Sequence, residues 1–247
     1  MNERALGEQI FKSFIRELHT LVVVNGEKPD LILGAGDSGA AMVKYTELAF
    51  EEFGVSMPPS VVLPTWRHKD EAETILFDNK VFLPQVREVV KNISTLKNVL
   101  FVDDEIGSGS MAQAMLDLVL DARERAESFS YFILAESHGF SADKIHGANV
   151  VFSPFSQKHE GLWSLIVRLP SEEAMRALST VIPERENTYK YATNILLNLP
   201  VKELVSDEAR FTSAYLEAAE REVANLSKLR EDHTAYLKAL IRSVLFE

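Results

Sequence analysis

The chain is predicted to fold as an α/β protein, with a parallel sheet flanked by helices and an α-helical C-terminal appendage. Short apolar runs alternate with helical segments over roughly the first 155 residues, which is typical of parallel strands joined by right-handed crossovers. Two of these apolar runs lead into a glycine-containing turn and then a helix. Beyond Pro170 the sequence has no glycine, and its apolar residues recur at helical spacing.

The N-terminal part of the chain predicts a helix, a strand and a second helix. Apolar residues recur every three or four positions over residues 3–24, which indicates an amphipathic helix. Residues 30–33 form a short apolar run that predicts a buried strand. The turn 34–39 follows it, and residues 38–53 predict a helix that ends at Gly54.

The middle of the chain repeats this order of elements. Residues 61–63 predict a second strand. The polar stretch 66–78 has no clean period and is expected to be a long mobile loop. A helix over 84–93, a buried strand over 98–102 and a helix over 111–126 follow.

Two further strands and a helical region complete the chain. The strands are predicted over 131–134 and 149–152. We expect residues 1–170 to form the α/β domain and residues 171–247 the helical C-terminal region. The last helix is predicted over 207–245, and its apolar side either packs on its own sheet or supplies a homodimer contact.

The composition excludes several classes of protein. Of the 247 residues, 26 are Lys or Arg and 37 are Asp or Glu, a net charge of −11 that leaves no broad basic surface for nucleic acid. The absence of cysteine excludes disulfides, a thiol nucleophile and zinc–thiolate sites. No secretory signal is expected, because glutamates interrupt the N-terminal segment at positions 3, 8 and 17, and no apolar run approaches the ~20 residues of a membrane span. We therefore expect a cytoplasmic protein that binds neither nucleic acid nor membrane.

The first turn, Gly34-Ala35-Gly36-Asp37-Ser38-Gly39, lies between a predicted strand and a predicted helix. It fits the pattern G-x-G-x-x-G, whose glycines expose backbone N–H groups to a phosphate at the helix N-terminus. A dinucleotide site also needs an acidic residue at the end of the second strand, and residues 63–66 include none. The turn therefore predicts a phosphate contact rather than a nicotinamide or flavin site.

The second turn carries the more specific pattern. The apolar run 99–102 is followed by Asp103, Asp104 and Glu105, and then by the small-residue loop Gly107-Ser108-Gly109-Ser110. The loop can hold a phosphate monoester, while the paired aspartates can accept from vicinal hydroxyls or hold Mg²⁺ through water. The alternative is that these acids and serines bond only to the local backbone. Because a helix cap needs one acid rather than a pair, a sugar-phosphate site is favoured.

This second pattern resembles the phosphoribosyl-diphosphate loop of the type I phosphoribosyltransferases. In residues 99–110, as in that family, four apolar residues precede two acids, two variable residues, a small phosphate-binding loop and a helix. The resemblance covers about residues 28–136. It implies transfer of ribose 5-phosphate from phosphoribosyl diphosphate to a nitrogenous acceptor, with release of diphosphate and with Mg²⁺ as cofactor.

The resemblance implies roles for the residues of the second turn. Asp103 and Asp104 would contact the ribose hydroxyls, directly or through water bound to Mg²⁺. Gly107, Ser108, Gly109 and Ser110 would bind the 5-phosphate, and Glu105 is expected to line the substrate site beside them.

The resemblance also implies roles outside that turn. Gly36, Asp37, Ser38 and Gly39 would face the diphosphate, and Arg67 and Lys69 would neutralise the charge that grows as diphosphate leaves. Two positions depart from the family's pattern. Asp37 stands where a basic residue is often found, and Gly107 stands where some members carry an acid that assists the acceptor base.

Two other functions stay open on the sequence. The run 31–41 also resembles the opening of a sugar isomerase domain, with Ser108-Gly109-Ser110 as its second phosphate loop. Those sugar-phosphate-binding domains do not require two acids at a strand end. A non-catalytic protein that senses a nucleotide or sugar phosphate through the same residues is the third hypothesis.

Overall fold

The fold is given by a computed structural model, which describes residues 3–63, 67–69, 75–77, 80–123, 129–137, 145, 148–152, 165–182, 188–199 and 207–246. The strands in these ranges are β1 (Leu31–Ala35), β2 (Ser60–Leu63), β3 (Arg67–Lys69), β4 (Ile75–Phe77), β5 (Asn98–Ile106), β6 (Ser130–Ser137) and β7 (Ala148–Phe152). Within the described residues, five of them form one sheet in the order β2-β1-β5-β6-β7, and every neighbouring pair is parallel. The predicted α/β fold with a parallel sheet is confirmed.

The helices alternate with these strands and then continue to the C-terminus. They are α1 (Glu3–His19), α2 (Gly36–Phe53), α3 (Leu83–Val90), α4 (Ser110–Ala122), α5 (Glu172–Leu178), α6 (Thr188–Leu196), α7 (Asp207–Glu222) and α8 (Leu226–Leu245). The predicted end of α2 is confirmed, because Gly54 follows it with φ = 69°, a conformation that glycine adopts without strain. None of the described helices is long and apolar enough to cross a membrane.

Successive side chains of the central strands pack into two cores on opposite faces of the sheet. Leu31 and Leu33 of β1 and Phe101 of β5 pack with α3 and α4, whereas Ile32 and Leu100 pack with α1, α2 and α8. This alternation follows from the two-residue period of a strand. Helices cover both faces of the sheet, which leaves the ends of its parallel strands exposed. In open α/β folds ligands bind at the carboxyl ends of the strands.

The polar stretch predicted as an irregular loop contains two short strands. β3 and β4 pair antiparallel, with His68 opposite Leu76, so the prediction of a loop throughout residues 66–78 is wrong for residues 67–69 and 75–77. Residues 75–77 of β4 are apolar and can form a strand. Because charged residues flank them, the triplet is too short to show a strand pattern in the sequence. The rest of that stretch, and its expected mobility, lies outside the described residues.

The predicted last helix is in fact two helices. Residues 223–225 leave the helical conformation between α7 and α8. Two cores hold this region: Ala219 of α7 and Leu226 at the start of α8 pack with α5 and α6, whereas Leu237 and Ile241, further along α8, pack with α1 and α2. The C-terminal helix is therefore part of the core on one face of the sheet.

Ion pairs also join α8 to α2 on the surface. Arg242 donates from Nε to Oε2 of Glu52 (2.7 Å) and from Nη2 to Oε1 (2.9 Å), and Lys238 bonds to Glu51 over 2.6 Å. A bidentate arginine–carboxylate pair has a defined geometry, although exposed pairs contribute little to stability. These contacts orient the C-terminal helix along α2, the helix that begins at the edge of β1.

Candidate functional site

The glycines of the first turn have two different tasks. Gly36 begins α2 with φ = 63°, which favours glycine. Gly34 and Gly39 pack against each other, since a Cβ on Gly34 would lie 2.6 Å from the carbonyl oxygen of Gly39. These two glycines allow α2 to approach β1 closely, so the N-terminus of the helix starts directly at the edge of the sheet.

Strand β5 is longer than predicted and bulges at the paired acids. It runs to Ile106 rather than ending at Val102. The ladder to β6 is regular up to Val102 and resumes at Glu105, with two residues of β5 opposite one of β6. Those two residues are Asp103 and Asp104. A bulge bends a strand and changes the direction of its side chains, so it determines where these two carboxylates point at the end of the strand.

The paired acids accept hydrogen bonds from the local backbone. The N–H of Asp104 donates to Oδ1 of Asp103 (2.9 Å), and the N–H of Glu105 donates to Oδ1 of Asp104 (3.1 Å). Local bonding of this kind was the alternative to a ligand site. Neither acid caps the following helix, however, because the N-cap of α4 is Gly109 and no side chain caps it.

The small-residue loop after β5 leads into the N-terminus of α4. Gly109 has φ = 81°, and Ser108 and Ser110 bond to each other through their hydroxyls (2.9 Å). At Gly107 an added Cβ would meet nothing within 4 Å, so that position is open. The first turn of any α-helix leaves N–H groups without an intrahelical acceptor. The loop therefore presents hydroxyls and N–H donors together, as an anion requires.

Both predicted turns border one cavity of about 310 Å³ at this edge of the sheet. Its lining includes Ala35, Gly36, Asp37, Ser38, Phe101, all residues from Asp103 to Ala112, and Lys190. The structure thus brings together nearly all the predicted substrate-binding residues. Gly39 is the exception, because it packs against Gly34 and does not line the cavity. The structure gives Gly39 a packing role, and its contact with a ligand stays a prediction.

The charge in this cavity is strongly unbalanced. Asp37, Asp103, Asp104 and Glu105 all line it, with Lys190 as the only cationic side chain among the described lining residues. Burial raises the pKa of the Asp103 carboxyl well above its usual range, and the neighbouring Asp104 raises it further, while Lys190 acts in the opposite direction. A bound cation would relieve this repulsion.

Lys190 was not predicted from the sequence. It lies in the first turn of α6, far along the chain from both glycine turns, and no local pattern around it indicates a site. The predicted basic residues Arg67 and Lys69 belong to β3, but their side chains lie outside the described part of the chain. Among the described residues, the cation at the cavity therefore comes from the C-terminal helices.

The acids at the bulge suit a magnesium ion that keeps most of its water. No group of three or more His, Asp or Glu side chains in the described ranges is arranged to hold a metal ion by itself. Mg²⁺ is commonly bound through one or two carboxylates together with substrate phosphates. Asp103 and Asp104 could supply these two carboxylates, and a cation bound beside them would lower the pKa of Asp103, which burial and Asp104 raise.

The comparisons with known proteins find similar chains among the solved structures. No protein-family model and no curated protein sequence matches the chain. The fold is similar to the crystal structure of a purine phosphoribosyltransferase from Pyrococcus horikoshii Ot3, with a TM-score of 0.34 and 14% sequence identity, over 62% of this chain and 92% of that one. We therefore infer the function of this chain from its own site residues.

Proposed function

We propose that this protein binds phosphoribosyl diphosphate with Mg²⁺ and transfers ribose 5-phosphate to a nitrogenous acceptor. The observation that carries the proposal is the shared cavity: the paired acids at the bulge of β5 and the N-terminal loop of α4 border the same 310 Å³ space. A ribose phosphate needs both groups at once, carboxylates for its vicinal hydroxyls and N–H donors for its phosphate.

Each end of the cavity then has its own part of the ligand. Residues 107–110 bind the 5-phosphate through N–H groups and the hydroxyls of Ser108 and Ser110. Asp103 and Asp104 accept from the ribose hydroxyls and hold Mg²⁺ through water. Residues 36–38, at the start of α2, face the diphosphate.

The reaction breaks the bond from C1 of the ribose to the diphosphate oxygen and forms a bond from C1 to the acceptor nitrogen. The electron pair of the broken bond leaves with diphosphate, and the acceptor nitrogen loses its proton to water. Magnesium, when bound, supplies positive charge to the leaving diphosphate. The protein contributes orientation of the ribose and fixed N–H donors around a charge that grows in the transition state.

The test of this function changes both acids to amides of the same size. In the D103N/D104N variant the fold is retained, and the affinity for phosphoribosyl diphosphate with Mg²⁺ falls about thirtyfold, since charged hydrogen bonds worth about 2 kcal/mol are lost. Calorimetric titration measures the affinity of each variant. The matched control is D117N/D121N, which removes two exposed carboxylates of α4 that do not line the cavity. Unchanged affinity in a folded D103N/D104N variant contradicts the proposal.

The same titrations separate the alternatives from the sequence. A sugar-isomerase-type site would bind a hexose phosphate through Ser38 and Ser108, which both line the cavity, and would tolerate the double change. The sensor hypothesis depends on Asp37 and Gly107, the two positions that depart from the family's pattern, with no acid at Gly107 to assist an acceptor. A sensor would lose binding like an enzyme, yet the wild type would release no diphosphate with any base offered.

The proposed role of Arg67 and Lys69 has a separate test. If the segment 66–78 closes over the diphosphate, its amide hydrogen exchange slows when phosphoribosyl diphosphate and Mg²⁺ are added. Unchanged exchange across the whole segment would remove both residues from the mechanism while leaving the assignment of the acids intact.

A further inference from the structure

Lys190 brings a positive charge from the C-terminal helices into the candidate site. It lines the cavity together with the two turns of the α/β sheet, and the four carboxylates Asp37, Asp103, Asp104 and Glu105 line the same space. A diphosphate carries several negative charges, so its entry into this cavity requires positive charge beyond the neutral N–H donors of the loops.

The packing of α6 determines the position of Lys190. One helical turn after it, Thr193 is fully buried and donates from Oγ1 to the carbonyl oxygen of Val167 (2.7 Å). Two residues later, the Ile195 carbonyl oxygen accepts from Nε of Arg230 (2.9 Å). Because residues three apart share a face of a helix, the buried face that carries Thr193 also directs Lys190 inward.

The side of the cavity that Lys190 occupies is set by its neighbours. Helix α6 contacts α2, whose first residues form the turn at Gly36. The charge of Lys190 also acts on Asp103, at the bulge of β5. Lys190 is thus close to Asp103, which was assigned above to the ribose, and its helix contacts α2, whose start was assigned to the diphosphate.

We propose that Lys190 binds the diphosphate group of phosphoribosyl diphosphate and neutralises it as it leaves, so that the C-terminal helices complete the site. This inference rests on the proposed function. A lysine ammonium is a compact charge with three rotatable donors, which suits a phosphate oxygen approached from one side. It also explains how a site with Asp37 in its first turn accepts an anion.

The test compares ligands that contain different parts of the substrate. Inorganic diphosphate with Mg²⁺ and ribose 5-phosphate are titrated into the wild type and into K190M, which keeps the length of the side chain and removes its charge. The K190R variant keeps the positive charge. The control variant K91M removes the charge of an exposed lysine at the C-terminal end of α3, which does not line the cavity. Thermal unfolding checks that each variant is folded, and K190Q replaces K190M if that variant is not.

The expected result is a selective loss. In K190M the affinity for diphosphate falls at least tenfold, or about 1.4 kcal/mol, while that for ribose 5-phosphate changes by less than about threefold. K190R and K91M stay within about fivefold of the wild type for both ligands. Equal losses for the two ligands, or no loss for diphosphate, overturn the role of Lys190 while leaving the proposed function in place. If the wild type binds neither ligand, both proposals fail.

Discussion

The backbone N–H of Asp104 donates a hydrogen bond to the side chain of Asp103 (2.9 Å) at the bulge of β5, so the two carboxyl groups are held side by side. Asp104 is buried and Asp103 is half-buried. Their proximity is unfavourable without a cation, and burial together with the Asp104 charge raises the pKa of Asp103. Strain of this kind is expected where a site is arranged for a ligand rather than for stability.

Replacing Asp103 with Asn should therefore stabilise the protein in the absence of ligand. Because the folded state raises the pKa of Asp103, it binds more protons than the unfolded state, and stability is lost as the pH rises through the folded pKa. The gain for D103N is about 0.5–2 kcal/mol at pH 8 and disappears towards acid pH. Urea unfolding at several pH values measures it, with D117N as the exposed control. A variant less stable than the wild type at pH 8 contradicts the repulsion between the two acids.

Replacement by alanine should destabilise the protein at Gly34 and have little effect at Gly107. In G34A the new Cβ would lie 2.6 Å from the carbonyl oxygen of Gly39 and 2.8 Å from Cγ2 of Val43, so α2 must move away from β1. We expect a loss of about 1–3 kcal/mol in the free energy of unfolding. In G107A the new methyl group meets nothing within 4 Å, and stability changes by less than about 0.5 kcal/mol. Denaturant unfolding of the two variants compares them, and equal stabilities would disprove the close approach of β1 and α2.

Asp37 should oppose anion binding when magnesium is absent. It lines the cavity in the first turn of α2, where an acidic side chain favours the helix but repels a phosphate. In D37N the affinity for phosphoribosyl diphosphate without Mg²⁺ should rise about fivefold, or about 1 kcal/mol, and the gain should shrink when Mg²⁺ is added. Calorimetry with and without the metal tests this. An unchanged affinity without Mg²⁺ would place the Asp37 carboxylate away from the bound anion.

Protonation of His233 should reduce the stability of the protein at acid pH, independently of the candidate site. This histidine is buried on α8, and burial, with a smaller effect of Arg4, lowers its pKa from 6.5 to about 4. A lowered histidine pKa means that the unfolded state binds the extra proton first, so stability falls as the pH drops from about 6.5 to about 4, by about 3 kcal/mol. H233Q should flatten this part of the stability profile, whereas H19Q, at a half-buried histidine against Phe53, should not. Parallel profiles for H233Q and the wild type would show that His233 is not the group responsible.

Local patterns in the sequence were sufficient for most of the fold and for the two turns of the site. The buried strands around Leu33 and Phe101 were predicted because a continuous apolar run is a local property, and the end of α2 was predicted because Gly54 adopts a conformation that few other residues accept. Both turns follow strands that run in the same direction. Parallel strands end at one edge of a sheet, so the meeting of the two turns at one cavity also followed from the sequence.

Tertiary packing decided the features that depend on residues distant in the chain. The bulge at Asp103 arises from pairing with β6, and α8 packs in two cores, with Leu226 against α5 and α6 and Ile241 against α1 and α2. The close contact of Gly39 with β1 depends in the same way on how α2 packs on the sheet. Lys190 reaches the cavity because α6 packs on elements distant in the chain, including α2 and α8, and no sequence pattern near residue 190 indicates those contacts. A sequence window contains the residues of one element, whereas the partner against which each element packs is set by the folding of the whole chain.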